Sequence, residues 1–473
     1  MTARVFGAVD IGASGGRVIA GVVDGDRTTL HTLHRFQNGA AHREGHLRWD
    51  LTGLYAEVLA GLRSLATAYP QVESIGIDTW AVDYGLLDAD GRLLAEPVSY
   101  RDSRTEAVLD QVHAQLGPEQ LYAMNGLQFL PFTTVYQLAA ERLSPLWDRA
   151  AHVVLLPDLL AYWLTGELAT EETNASTTGL LDIRTGTWST EVLALLDLPA
   201  GALPPLQRPG ELRGTLRPEV LAATGLPATT VVTAVGSHDT ASAVVAVPAT
   251  DRSFAYVSSG TWSLVGIELD KPVLTMDAQR ANFTNEGGVD GRTRFLRNVG
   301  GLWLLQESLR EWKAQGLRLD LDSLLTEAET LPPGGPIVNV DDDRFIPPGK
   351  MPARIAAAAV RNGHDDPQTP AAVVRCVLDS LATSYALTVR QAVQLGSQEV
   401  DTIHIVGGGC QNRLLCQLTA DLSGIPVTAG PVEATALGNV LVQARAHGAA
   451  PETLEEIRAG LARTEDLRRF RPS

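Results

Sequence analysis

Lysine is nearly missing from this chain of 473 residues: Lys271, Lys313 and Lys350 are the only ones, and the first 270 residues hold none. A phosphate-binding loop that depends on a lysine is therefore excluded from the N-terminal half. Cysteine is also scarce. Cys376, Cys410 and Cys416 form an odd set with no C-x-x-C, which argues against a disulfide framework or a structural zinc site. Cys410 and Cys416 are close in sequence, but free thiols are expected of all three. No apolar run reaches the length of a membrane span. The N-terminal "MTARVFGAVD" lacks the layout of a signal peptide, so the expected location is cytoplasmic. A net charge of −17 disfavours nucleic acid and anionic membranes as partners. It also repels ATP, unless backbone donors and a metal ion overcome the global field locally.

What is present is ordinary for a globular enzyme, with 45% hydrophobic and 20% charged residues. Residues 7–17 read "GAVDIGASGGR", an apolar strand, one carboxylate at Asp10 and a glycine turn. This is neither G-x-G-x-x-G nor G-x-x-x-x-G-K-[ST]. Any phosphate held here is held by backbone N–H groups, hydroxyls and a metal ion. "RVFGAVDIG", "GRVIAGVVDG" and "TLHTLHRF" predict an antiparallel meander with Asp10 at its first bend. Residues 50–69 have helical spacing, capped by Asp50 and stopped by Pro70. "VESIGIDTW" reads as a buried strand, and residues 84–94 as a hairpin turning at Asp90-Gly91. Helices are expected around 101–116, 134–143 and 157–165.

Near residue 250 the pattern restarts. "SFAYVSSGTWSLVGIEL" (253–269) repeats the layout of apolar strand, small polar turn and apolar strand. Helices follow at 298–314 and 370–395, then the strand "DTIHIV", the loop "GGGCQ", a helix from near Asn412 and a final helix at 433–447. The order implies two similarly built α/β domains, 1–248 and 249–473, joined by the short polar link "PATDRS". The two glycine loops then read as halves of one polyphosphate clamp across a cleft, with Asp10 holding a metal ion through a water.

Asp239 follows the apolar "TVVTAV" and the turn "GSH", and precedes a helical run. A carboxylate there faces a ligand or caps the helix. His238 suits either a structural role or a bond to a ligand hydroxyl, and no G-x-S-x-G elbow supports a serine triad. Trp80 and Tyr84 offer apolar faces for a ligand or for the core. Asp83 binds hydroxyls or caps the hairpin. Arg101, Asp102 and Arg104 pair on a surface or set the field of a cleft.

Taken together, "VDIGASGGR", "GIDTWAVDYGLLD" (76–88), "YRDSRT" (100–105), "GLQFLPFTTVYQL" (126–138), "SHDTASAV" (237–244), "SSGTWSL" (258–264), "NVGGLWLLQ" (298–306), "DDRFIPP" (342–348), "IVGGGCQN" (405–412) and "GPVEATALGN" resemble the FGGY carbohydrate kinases. The resemblance implies two ribonuclease-H-like domains of the actin/hexokinase type around a central cleft. It implies phosphoryl transfer from ATP, with Mg²⁺, to a sugar hydroxyl. The leading acceptor is the 1-hydroxyl of L-rhamnulose. L-fuculose, xylulose or a polyol remain open, as does an ATP-switched binding protein. The resemblance also assigns Asp239 as catalytic base and Ala81, Trp80, His238, Thr240 and Asn298 to the sugar. Ala13, Ser14, Gly15, Gly16 and Arg17 fall to the first phosphate loop, Thr261, Gln306 and Gly409 to the nucleotide, and Asp10 to the metal. Ala81 replaces a family glycine, and its methyl would tighten the pocket. The expected partners are the sugar and ATP alone, bound by a monomer or homodimer.

Overall fold

The computed structural model describes residues 3–199 and 201–473. Strand β1 (Arg4–Gly12) is buried on both faces because its apolar residues do not alternate with polar ones. Val5, Val9 and Ile11 pack on one side with Leu54, Val58, Leu62 and Leu65 of the helix Leu51–Ala68. Phe6 and Ala8 pack on the other with Ala436, Val440 and Ala444 of the helix Ala434–Ala446. Asp50 caps the first of these helices by accepting from the Gly53 N–H at 3.0 Å, as the sequence predicts.

The meander continues as β2 (Gly15–Asp24) and β3 (Arg27–Gln37), both antiparallel. On the opposite side of β1 lies β4 (Ser74–Thr79), parallel to it, followed by β5 (Leu212–Thr215) and β6 (Val231–Thr233). The six-stranded order is β5-β6-β4-β1-β2-β3. Parallel strands end at the same edge, so Asp10, Asp78 and the turn after β6 come to one margin of the sheet. Residues 84–87 pair mainly with 152–155, while the return arm of the expected hairpin adds one bridge at Leu93.

The chain divides into two compact units. The first holds the residues up to Ala246 together with Leu269–Phe295 and Ala434–Thr464; the second holds Val247–Glu268, Leu296–Glu433 and Glu465–Ser473. The first crossing thus falls two residues before the expected boundary at 248. The later crossings have no counterpart in a contiguous division. The crossing at Ala434 arises because the helix Ala434–Ala446 covers β1 and β4 rather than neighbours in sequence.

The second unit repeats the plan. β7 (Phe254–Ser259) and β8 (Trp262–Leu269) form the predicted hairpin. β7 runs parallel to β9 (Thr402–Val406), β9 runs parallel to β10 (Val427–Ala429), and β11 (Arg468–Phe470) closes that edge antiparallel. The helix Pro370–Gly396 has the length and apolar content of a membrane span, contrary to expectation. Even so, 78% of its most apolar window is buried inside the protein, as in a core helix.

Two predicted helices start or break elsewhere. Residues 101–116 split into a short turn at Ser103–Thr105 and the helix Leu109–Gln115, because Asp102 turns the chain by accepting from the Leu47 and Arg104 N–H groups. Residues 298–300 finish the strand Thr293–Gly300, and the helix begins only at Trp303. Side chains at Gly300 and Gly301 would collide with Val340 and with the backbone of Thr261 and Trp262.

Candidate active site

The first glycine turn is a two-residue hairpin loop. Gly12 pairs with Gly15, leaving Ala13 and Ser14 at the tip. Gly16 carries no side chain because the Phe36 ring occupies that space. Asn38 donates to the Gly12 carbonyl at 2.9 Å and braces the turn. Asp10 and Arg17 face each other across β1 and β2, and a guanidinium N–H donates to Asp10 Oδ2 at 2.5 Å. Arg17 is thus the cation nearest this loop in the strand pair, with its charge paired to Asp10.

Asp78 is the register partner of Asp10 on β4, and sequence reading passed over it inside an apolar strand. It is completely buried. Burial raises its carboxyl well above the ordinary range, the Asp10 charge raises it further, a hydrogen bond from Asn439 offsets part of this, and Asp239 adds to the rise. Asn439 Nδ2 donates to Asp78 Oδ2 at 2.6 Å, whereas Asp78 Oδ1 has no partner. Gly76 makes room for Asn439 and Gln443 to lie on the strand, and Gly438 lets their helix approach Ser242.

The turn that carries Asp239 follows β6. Thr79 N–H donates to the Ser237 carbonyl at 2.9 Å and pins the turn to the end of β4. The buried Glu171 accepts from Ser237 N–H at 3.0 Å and from its hydroxyl at 2.8 Å. Burial raises the Glu171 carboxyl, and donors from Thr173 and Ser237 work against that rise. Asp239 is the first residue of the helix Asp239–Val245, and no side chain caps the helix at His238. Asp239 thus accepts no capping N–H, and its side chain remains 33% exposed. Thr240 Oγ1 donates to Asp239 Oδ1 at 3.1 Å, and His238 Nε2 lies 3.4 Å from the same oxygen. On its other side His238 meets Glu286 and Arg294. Burial alone would raise the Glu286 carboxyl, but Arg294 and then His238 outweigh it and hold it below its ordinary value.

Ala81 begins a three-residue turn in which Asp83 N–H donates to the Ala81 carbonyl at 2.9 Å. Val82 at its centre has φ of 67°, a strained conformation for a β-branched residue. Ala81 itself has no positive φ, so the alanine fits the backbone without strain. Asp83 is buried and saturated: Oδ2 accepts from Trp49 Nε1 (2.6 Å), Trp80 Nε1 (2.9 Å) and Tyr100 N–H (3.2 Å), and Oδ1 from Gln137 Nε2 (3.0 Å). It has no capacity left for sugar hydroxyls. Trp80 is 7% exposed, packed on Trp49 with ring centroids 4.4 Å apart. Its placement is that of a core residue, and Tyr84 is buried likewise. Arg104 pairs with the buried Glu141 beneath this segment, while Asp102 holds Leu47.

In the second unit, Leu302 N–H donates to the Gly260 carbonyl at 3.0 Å and Trp303 N–H to the Thr261 carbonyl at 3.2 Å. The helix Trp303–Ala314 is thereby docked on the second glycine loop, which brings Thr261 Oγ1 within 3.5 Å of Gln306 Oε1. Asn298 is half-buried near the end of its strand. Gly409 is glycine because Ser259 fills its side-chain space, whereas Gly408 faces open space. Cys410 and Cys416 are free and buried, with Cys376.

Among the described residues, no three Asp, Glu, His or Cys side chains are arranged to hold a metal unaided. A hard cation that keeps several waters and takes one or two carboxylates fits Asp10 and the unsatisfied Asp78 Oδ1.

The α/β fold thus carries a partly exposed carboxylate at a strand-to-helix turn in its first unit and a glycine-containing hairpin in each unit. Residues 5–246 match the N-terminal domain of the FGGY family of carbohydrate kinases and residues 255–447 match its C-terminal domain, so the chain belongs to that family. It is 43% identical over 476 residues to a rhamnulokinase of Pectobacterium carotovorum subsp. carotovorum (strain PC1), covering all of this chain and 94% of that protein. It is 44% identical over 449 residues to a rhamnulokinase of Enterobacter sp. (strain 638), covering 94% and 89%. Its fold is that of a gluconate kinase from Lactobacillus acidophilus (TM-score 0.82, 16% identity, 100% and 94% covered). It is also that of a Plasmodium falciparum glycerol kinase solved with ADP (0.78, 16%, 99% and 94%).

Proposed function

We propose that this chain transfers the γ-phosphoryl group of ATP to the 1-hydroxyl of L-rhamnulose. The observation that carries this is the 43–44% identity, over nearly the whole chain, to two rhamnulokinases. In this reading the sugar rests on Ala81, His238, Thr240 and Asn298. Asp239 takes the hydroxyl proton as the sugar oxygen attacks phosphorus and the bond to ADP breaks. The exposure of Asp239 supports that role over a capping one. Trp80 acts from the core by supporting the Ala81 turn.

Backbone N–H groups of Ala13 to Gly16, with Arg17, hold phosphate oxygens, and Thr261, Gln306 and Gly409 serve the nucleotide. Asp10 and Asp78 would hold Mg²⁺, which when bound offsets the negative charge of the phosphates. The free buried thiols suit a reducing cytoplasm.

The test is a specificity panel of L-rhamnulose, L-fuculose, L- and D-xylulose, D-ribulose and glycerol, with the product phosphate located by NMR. L-Rhamnulose should lead the others in kcat/KM by about tenfold or more, about 1.4 kcal/mol of differential transition-state binding. A higher value for another member would move the specificity and leave the kinase chemistry standing.

A further inference from the structure

Beneath the catalytic turn lies a buried charge pair that the mechanism above does not use. Arg294 is fully buried, and Glu286 nearly so. A buried ion pair of this kind is weak support for stability, since apolar residues of similar volume often do as well. Its contacts suggest another use. Arg294 Nε donates to the Gly287 carbonyl at 2.9 Å. Arg294 Nη2 lies 3.1 Å from Glu286 Oε2 and 3.1 Å from His238 Nδ1.

A guanidinium carries only N–H donors and does not give up its proton. In the Arg294 contact His238 Nδ1 is therefore the acceptor. A proton on Nδ1 would meet the Arg294 N–H head-on. Glu286 Oε2 lies 3.3 Å from the same nitrogen and has no hydrogen-bond partner of its own, so it competes as the acceptor of an Nδ1–H; the guanidinium contact, at 3.1 Å, is the shorter of the two. With Nδ1 accepting, the neutral ring would carry its proton on Nε2, the nitrogen that faces Asp239 Oδ1 at 3.4 Å. Hydrogen bonds of catalytic groups are often long before substrates bind. The Thr240 hydroxyl donates to the same oxygen. Among the described residues, Asp239 Oδ2 accepts no hydrogen bond from the protein.

We propose that Arg294 is a positioning residue that fixes the Nε2–H tautomer of His238, so that Asp239 is anchored through Oδ1 and presents Oδ2 as the oxygen that takes the sugar proton. Thr240 and His238 then hold one carboxylate oxygen and leave the other aimed at substrate, with Glu286 keeping Arg294 in place. The inference rests on Asp239 being the base.

Its first test is a two-bond ¹H–¹⁵N correlation spectrum of the full chain labelled at histidine, recorded about 1.5 pH units above the ordinary imidazole value. The His238 signals are assigned by their loss in His238→Gln. The Nε2–H pattern is expected. A ring protonated at Nδ1, alone or together with Nε2, overturns the proposal. The second test is Arg294→Met combined with Glu286→Gln, which removes both charges so that neither is left buried alone. The tautomers should mix, and kcat should fall about tenfold or more while KM for ATP stays within about twofold. Arg294→Lys, which keeps a donor, should recover part of the loss. A folded double variant with kcat within about twofold of wild type overturns the proposal. If the double variant does not fold, the wild-type spectrum decides. Full turnover by Asp239→Asn would instead defeat the base assignment, an outcome separate from the tautomer.

Discussion

At Asp83 a single carboxylate receives four protein donors, and burial still pushes it up to about 6, the hydrogen bonds from Trp80, Trp49, Gln137 and Tyr100 only limiting the rise. A carboxyl whose value is raised on folding binds its proton more tightly in the native state. Its contribution to stability is then full at low pH and is lost as pH rises from about 4 through about 6, up to about 3 kcal/mol. Asp83→Asn removes the titration. Urea unfolding at acid and neutral pH should show wild type losing more stability than Asp83→Asn across that window; equal slopes would contradict this. The site was partly legible at this scale. Asp239 and His238 stand at a turn where sequence alone shows polar residues between apolar runs, while Asp10, expected at the first bend, lies within β1 three residues before the turn at Ala13 and Ser14. Asp78, Glu171, Glu286 and Arg294 sit inside strands or next to them, where nothing local marks a functional acid or cation. Trp80 shows the reverse: an aromatic beside a polar turn reads as a ligand face, and only the structure shows its ring against Trp49 and its N–H on Asp83.

Glycines explain the elements that sequence periodicity misplaced. Gly300 and Gly301 end a strand and free the next helix to dock on the second glycine loop, a close approach that apolar spacing cannot reveal. The strands were legible because β1, β2 and β7 are short apolar runs bounded by turns. The helix Ala434–Ala446 was legible as a helix, but its partner was not, since its contacts lie more than 400 residues away on β1. Gly438 permits that contact. A methyl group there would overlap the Ser242 carbonyl on the facing helix. Gly438→Ala should destabilise by about 1–3 kcal/mol through overpacking, despite the better helix propensity of alanine. It should also lower kcat by shifting Asn439 off Asp78. A urea midpoint unchanged from wild type would refute the packing argument.

For the whole molecule, a net charge of −17 opposes the approach of ATP, itself an anion. Raising ionic strength from about 0.01 to 0.15 M shortens the screening length from about 30 to 8 Å. The apparent KM for Mg-ATP should therefore fall over that range, whereas a site dominated by exposed cations would show a rise. Initial rates at fixed free Mg²⁺ decide between them. The central claim is that Asp239 is the base of a sugar kinase, and the most direct measurement is ADP release from Mg-ATP with and without L-rhamnulose, for wild type and Asp239→Asn. Wild type should need the sugar, and the variant should lose about 10²-fold or more in kcat while keeping its fold and its ATP affinity. Sugar-independent hydrolysis that the substitution leaves unchanged would contradict the account.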